Sequence, residues 1–133
     1  MEYYMYQTDC EFKVKKKNEQ KILLVIKSLV GRETRGGHFC WVDMDFADLE
    51  TIDEILSCWR WGTVRDVKTD EINSLDFLGE KLGDDLLLFK TIAPLVEPQS
   101  FIEMRGEDGS IWRWVFNGVS CVEMRPTIIW ERR

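Results

Sequence analysis

The sequence predicts an α+β fold built on a mostly antiparallel sheet. The stretch Ile111-Trp112-Arg113-Trp114-Val115-Phe116 alternates strictly between turn signals at Asp108-Gly109 and Asn117-Gly118. Asp-Gly and Asn-Gly tolerate the positive φ that tight hairpins need. Three other segments carry apolar residues at helical spacing, around Ile22, Ile52 and Leu88. Strands and helices intermix without strict βαβ alternation, in the order β-α-β-α-β-β-α-β-β-β, which favours antiparallel pairing with helices on one face. A chain of 133 residues fits one globular domain spanning 1–133.

Taken in order, Tyr4, Tyr6, Thr8, Cys10, Phe12 and Val14 share one parity, so they are expected to face inward on a first strand. Asn18 is the expected N-cap of a helix carrying Ile22, Val25, Ile26, Leu29 and Val30, with Gly31 as its C′ residue. His38–Val42 reads as a short strand after a polar Gly-rich loop. Thr51-Ile52-Asp53-Glu54 is a capping box: each side chain can accept from the other residue's backbone N–H. It opens a helix with Ile52, Ile55, Leu56 and Trp59 on one face.

Strands are expected at Trp61–Val67 and Ile72–Leu78, joined by Lys68-Thr69-Asp70-Glu71. Asp84 and Asp85 suit the N-terminus of a third helix through its dipole, and Pro94 should end or kink it. Strands at Phe101–Met104, Ile111–Phe116 and Val119–Met124 close a meander, with Trp112, Trp114 and Phe116 toward the core. Pro126 interrupts, and Thr127–Trp130 is expected as a terminal edge strand. The second and third helices each lead into a hairpin with an acidic turn. This echo raises a duplicated helix–hairpin unit as an alternative to chance similarity.

The net charge of -6 is unevenly placed. Residues 1–38 hold eight Lys and Arg against five Asp and Glu, a net of +3; residues 39–133 hold ten against nineteen, a net of -9. The acidic balance argues against direct nucleic-acid binding, which depends on neutralising phosphates. It suits a protein partner with a basic surface, or solubility alone. The N-terminus has no basic region followed by an apolar stretch, and no apolar run is long enough to span a bilayer. A cytoplasmic setting, free thiols and no membrane association are therefore expected, with Cys10, Cys40, Cys58 and Cys121 scattered singly.

Candidate chemistry is sparse. His38 is the single histidine, and Cys40 shares its side of the expected strand. Together they could line a cleft for a small ligand or form a nucleophile–base pair; a strand-edge His beside a core Cys is the plain alternative. Cys10, His38, Cys40 and Cys121 lack the paired spacing of structural zinc sites. Asp43-x-Asp45 begins like a calcium loop, but Ala47 and Asp48 break the pattern. The glycines near Gly36 and Gly79 make no nucleotide loop. No cofactor is expected. Trp59-Arg60-Trp61 and Trp112-Arg113-Trp114 could stack a base or sugar if exposed, but the alternation assigns the second triplet to the core.

Several phrases carry a resemblance: Tyr3-Tyr4-Met5, His38-Phe39-Cys40-Trp41-Val42-Asp43, Trp59-Arg60-Trp61, Gly79-Glu80-Lys81-Leu82-Gly83-Asp84-Asp85 and Glu103-Met104-Arg105-Gly106-Glu107-Asp108-Gly109, with Trp112-Arg113-Trp114. Across most of its length the chain resembles a family of small uncharacterised proteins from gut bacteria and their phages or mobile elements. That resemblance implies a setting in which small acidic inhibitors of host defence, anti-CRISPR-like proteins among them, are found. It carries over no functional residue.

The expected function is therefore non-enzymatic protein–protein binding. Its expected contact surface is acidic: Asp43, Asp45, Asp48, Glu50, Asp53 and Glu54, joined by the turn at Glu107 and Asp108. A small-ligand module or enzyme with a cleft near His38 and Cys40 is one alternative. A structural or regulatory domain of an oligomer is the other.

Overall fold

A computed structural model describes residues 2–29, 42 and 48–133. It contains β1 (Met5–Glu11), α1 (Lys16–Lys27), α2 (Ile52–Cys58), β2 (Trp61–Arg65), β3 (Ile72–Phe77), α3 (Asp85–Ile92), β4 (Phe101–Gly106), β5 (Ile111–Phe116) and β6 (Cys121–Met124). A 3-10 turn, Ala93–Leu95, follows α3 and holds Pro94 in its first turn, where a missing N–H costs little. The architecture is α+β with antiparallel pairing throughout: one sheet in the order β1-β4-β5-β6 and a two-stranded sheet β2-β3. The expected strand at His38–Val42 lies outside the described residues except for Val42, which is in no regular element.

β1 joins the two sheets. Its residues pair with β4 up to Glu11, and then Phe12 N–H donates to Asn73 O and Val14 N–H to Ile72 O, both at 3.2 Å, on β3. Within the pairing with β4 the register shifts at Gln7/Asp9, so Thr8 is the extra residue of a β-bulge. This corrects the expected inward face. Because side chains alternate, one inserted residue exchanges the two faces. Met5 is buried before the bulge and Phe12 and Val14 after it, while Tyr4 and Tyr6 are exposed. At the bulge the Gln7 side chain stands in for a strand: its amide donates to Leu75 O and its carbonyl accepts from Phe77 N–H, both at 2.7 Å.

The helix ends follow local chemistry with one long-range exception. α2 opens on the expected capping box: Glu54 N–H donates to the Thr51 hydroxyl at 3.2 Å, and the Glu54 carboxylate accepts from Thr51 N–H at 3.1 Å. α1 starts before the expected Asn18 cap. Its N-cap is Lys15, which offers no side-chain acceptor. Instead Glu71, in the β2–β3 connection, accepts from Lys16 N–H at 3.1 Å. Asn18 then lies inside the helix, and its side-chain amide donates to Leu95 O at 3.4 Å.

The core sits between the helices and the sheet face bearing Trp112, Trp114 and Phe116, all buried as expected. Phe89 of α3 is its hub. Ring centroids lie 5.2 Å from Trp61, 5.4 Å from Trp114, 5.9 Å from Phe116 and 6.3 Å from Phe12. Edge-on and tilted geometries at these spacings add to area burial. Ile52, Ile55, Leu56 and Trp59 of the second helix are all buried, as are Ile22, Leu23 and Ile26 of the first.

One charged pair enters this core. Asp85, almost wholly buried, accepts from Trp61 Nε1 at 2.9 Å, Gly83 N–H at 2.9 Å and Arg60 Nη2 at 3.1 Å. The helix–hairpin echo does not extend to packing. α2 lies against its own hairpin strand β2, whereas α3 spreads across β2, β5 and β6. The hairpins differ as well: β2-β3 forms a sheet alone, and β4-β5 is the centre of the larger one.

Candidate functional site

The alternation that buries Trp112, Trp114 and Phe116 turns Ile111, Arg113 and Val115 to the opposite face of the sheet. Register aligns them with residues of the neighbouring strands. Phe101, Val115 and Val122 form one row; Glu103, Arg113 and Met124 form the next; Arg105 and Ile111 form a third. Phe101, Ile111, Val115 and Met124 of these rows, with Gln99 and Pro126, line a groove of about 490 Å³. Arg113 braces it: its guanidinium lies 4.6 Å from the Phe101 ring centroid, and its Nε donates to Glu103 at 2.8 Å. Hydrogen bonds from Thr8 and Arg113 hold the Glu103 carboxyl below its ordinary range.

β6 is the edge of the sheet, and the chain leaves it at the rim of this groove through Arg125 and Pro126. The expected edge strand Thr127–Trp130 does not form. Pro126 cannot donate to a ladder and restricts the residue before it, and the arm from 125 to 133 runs without regular structure. Ile128, Ile129 and Trp130 are 77%, 80% and 91% exposed. Three consecutive large apolar side chains therefore face solvent beside an apolar groove. Trp112 contributes to the groove wall, and its buried Nε1–H has no acceptor among the described residues.

The expected acidic surface divides. Asp43 and Asp45 lie outside the described residues. Asp48 and Glu50 are exposed, and neither carboxylate pairs with a cation among the described residues. The other four are engaged within the fold. Asp53 accepts from Arg65 Nη2 at 2.8 Å and from the Thr63 hydroxyl. Burial pushes its carboxyl up, but the bonds from Arg65 and Thr63 outweigh that and leave it lowered. Glu54 serves the capping box. Glu107 accepts from Tyr4 N–H at 3.1 Å, and Asp108 accepts from the Tyr3 hydroxyl and from Ser110 N–H. Arg65, clamped between Glu19 at 2.8 Å and Asp53, ties α1 and α2 to β2.

His38 and Cys40, the expected cleft residues, also lie outside the described residues. Cys10 and Cys121 are free thiols. Burial pushes the Cys121 thiol up to about 12 and raises that of Cys10, so both stay protonated and unreactive near neutral pH. No group of side chains with metal-ligand chemistry occurs among the described residues, and no described helix is long and apolar enough to cross a membrane. Comparison of the chain with protein-family models, curated proteins and solved structures returns no match.

The alternation of β5 sets Ile111, Arg113 and Val115 opposite the indoles, but the groove they share with β4 and β6 depends on a register that only the fold supplies. A signal was present. Ile111 and Val115 make β5 apolar on both faces, the mark of a strand covered on both sides. The run Thr127-Ile128-Ile129-Trp130 was legible too, but as a strand rather than as an exposed arm.

Proposed function

We propose that this protein acts by binding another protein and performs no chemistry of its own. The contact surface is the open face of β4, β5 and β6 together with the arm 125–133. The observation that carries this is the exposed Ile128-Ile129-Trp130 beside an uncovered apolar groove. Contiguous exposed apolar surface of this kind marks association sites, and Trp is prominent among the residues that dominate interface energetics. Affinity capture tests it. Wild-type protein should retain a partner that Trp130→Ala and Ile129→Asp lose, while Asp48→Asn keeps it. Equal capture by wild type and both arm variants would sink the proposal.

A second reading keeps the acidic surface, narrowed to residues that remain uncommitted. Asp48 and Glu50 favour it, since no described cation neutralises either. They would dock a basic partner surface, as an anti-CRISPR-like inhibitor in a phage or mobile-element setting would. Such docking weakens steeply with salt, whereas apolar docking does not. Capture repeated at low and high salt therefore separates the two. The free thiols of Cys10 and Cys121 support a cytoplasmic setting for either one.

A further inference from the structure

We infer that the groove on the open sheet face is occupied by the arm of a second copy of this chain, two copies exchanging arms about a two-fold axis. This rests on the binding role proposed above and names the partner. The chain carries both halves of the contact: an apolar groove lined by Phe101, Ile111, Val115 and Met124, and an apolar arm of Ile128, Ile129 and Trp130. A two-fold interface needs this self-complementarity.

Occupation by the chain's own arm is disfavoured by the sequence at its root. Arg125 and Pro126 form the groove's rim, so the arm would have to reverse direction at once. The residues available for that reversal are Pro126, Thr127, Ile128 and Ile129. A fixed φ followed by three β-branched residues suits extended backbone and resists a tight turn. The arm instead leaves its apolar side chains in solvent, with Trp130 91% exposed.

Charge and reach agree with exchange. Beyond Trp130 come Glu131, Arg132 and Arg133. On the open face Arg105 and Arg113 are exposed, and farther along, on β1, so are Asp9 and Glu11. Neighbouring strands lie about 4.8 Å apart, so β5 to β1 is about 10 Å, the span of about three extended residues. A Trp130 seated over β5 thus brings Arg132 and Arg133 toward Asp9 and Glu11. Covering the three apolar side chains removes on the order of 400 Å² from each arm. Two arms and two grooves then bury roughly 1,600 Å², the size of a standard specific interface.

Sedimentation or light scattering across a concentration series tests the exchange. The wild type should pass from monomer to dimer. Trp130→Ala and Ile129→Asp should each weaken dimerisation by about thirtyfold or more, with unchanged circular dichroism because both side chains are exposed in the single chain. Met124→Asp damages the groove from an exposed edge position, so folding survives. Met124→Asp and Ile129→Asp alone should each stay monomeric at concentrations where the wild type is dimeric. Mixed together they should recover a heterodimer, since one intact arm then meets one intact groove.

A dimer that survives both arm variants, or a mixture that fails to recover, overturns the exchange. A wild type that stays monomeric at every concentration also overturns it. In that case, arm-dependent capture of a different protein would leave the broader binding role standing.

Discussion

The two faces of β5 are made from the same six residues and do opposite work. The inner face sets Trp112, Trp114 and Phe116 against Phe89 and Trp61. The outer face sets Ile111, Arg113 and Val115 beside a groove and an exposed arm. Both are apolar, so hydrophobicity alone does not distinguish them. What differs is cover: rings from a helix and a second sheet meet the inner face, whereas the outer one carries the Arg113–Phe101 stack and an open groove. A strand with Ile111 and Val115 on its uncovered face leaves that face open to a partner, the role proposed above.

The comparison can be broken from its inner side first. Phe89→Ala removes the ring that four other aromatics meet, and it should cost about 3–5 kcal/mol of unfolding free energy by denaturant titration. Asp85→Ala should cost a similar amount, about 3–5 kcal/mol, because it leaves Arg60 Nη2 and the Trp61 indole N–H inside the fold without their acceptor. A loss below about 1 kcal/mol for either would mean that the inner face is not the stability core.

Acid sharpens the contrast. Asp53 and Glu103 are lowered from ordinary values of 3.8 and 4.5. Their stabilisation is present above those ordinary values and is lost as pH falls through the lowered folded ones. Asp85 has the opposite sign. Burial raises it, the folded carboxyl holds its proton longer, and its contribution to stability falls as pH rises from 3.8 toward the raised value. Denaturation midpoints measured between about pH 2 and 6 should therefore fall at the acid end in the wild type. Asp53→Asn should flatten that fall; an unchanged pH profile would contradict the Arg65 clamp.

Smaller effects come from the edges. Thr51→Ala should cost about 1 kcal/mol by removing the α2 cap. On the outer face Arg113→Ala should cost less than about 1 kcal/mol, since its side chain in the pair with Glu103 is about half exposed to solvent. A dimer that dissociates on this substitution while thermal stability holds would separate assembly from folding most cleanly.

Local patterns were readable in the sequence and distant partnerships were not. The Thr51–Glu54 box was legible because its reciprocal bonds span three residues. The burial of Trp112, Trp114 and Phe116 was legible because period two between two turn signals leaves one arrangement. The fates of Asp53, Glu107 and Asp108 were not: the groups that claim them are Arg65 on β2, Tyr4 N–H and the Tyr3 hydroxyl, brought close only by the fold. A carboxylate looks the same in sequence whether it faces solvent or an arginine. The start of α1 was misplaced for the same reason, since its acceptor is Glu71.

The bulge at Thr8 has a consequence for how the molecule holds its parts together. On either side of that residue β1 runs in opposite phase, so one strand offers matching side chains to β4 along most of its length and then passes to β3. Gln7 closes the seam that the dislocation opens, with an amide that imitates a peptide group. A chain lacking Thr8 would keep a single phase from Tyr4 to Val14. It could then match Met104 or Ile72, but not both, and β1 would lose either its ladder with β4 or the Phe12 and Val14 hydrogen bonds that fasten it to β3.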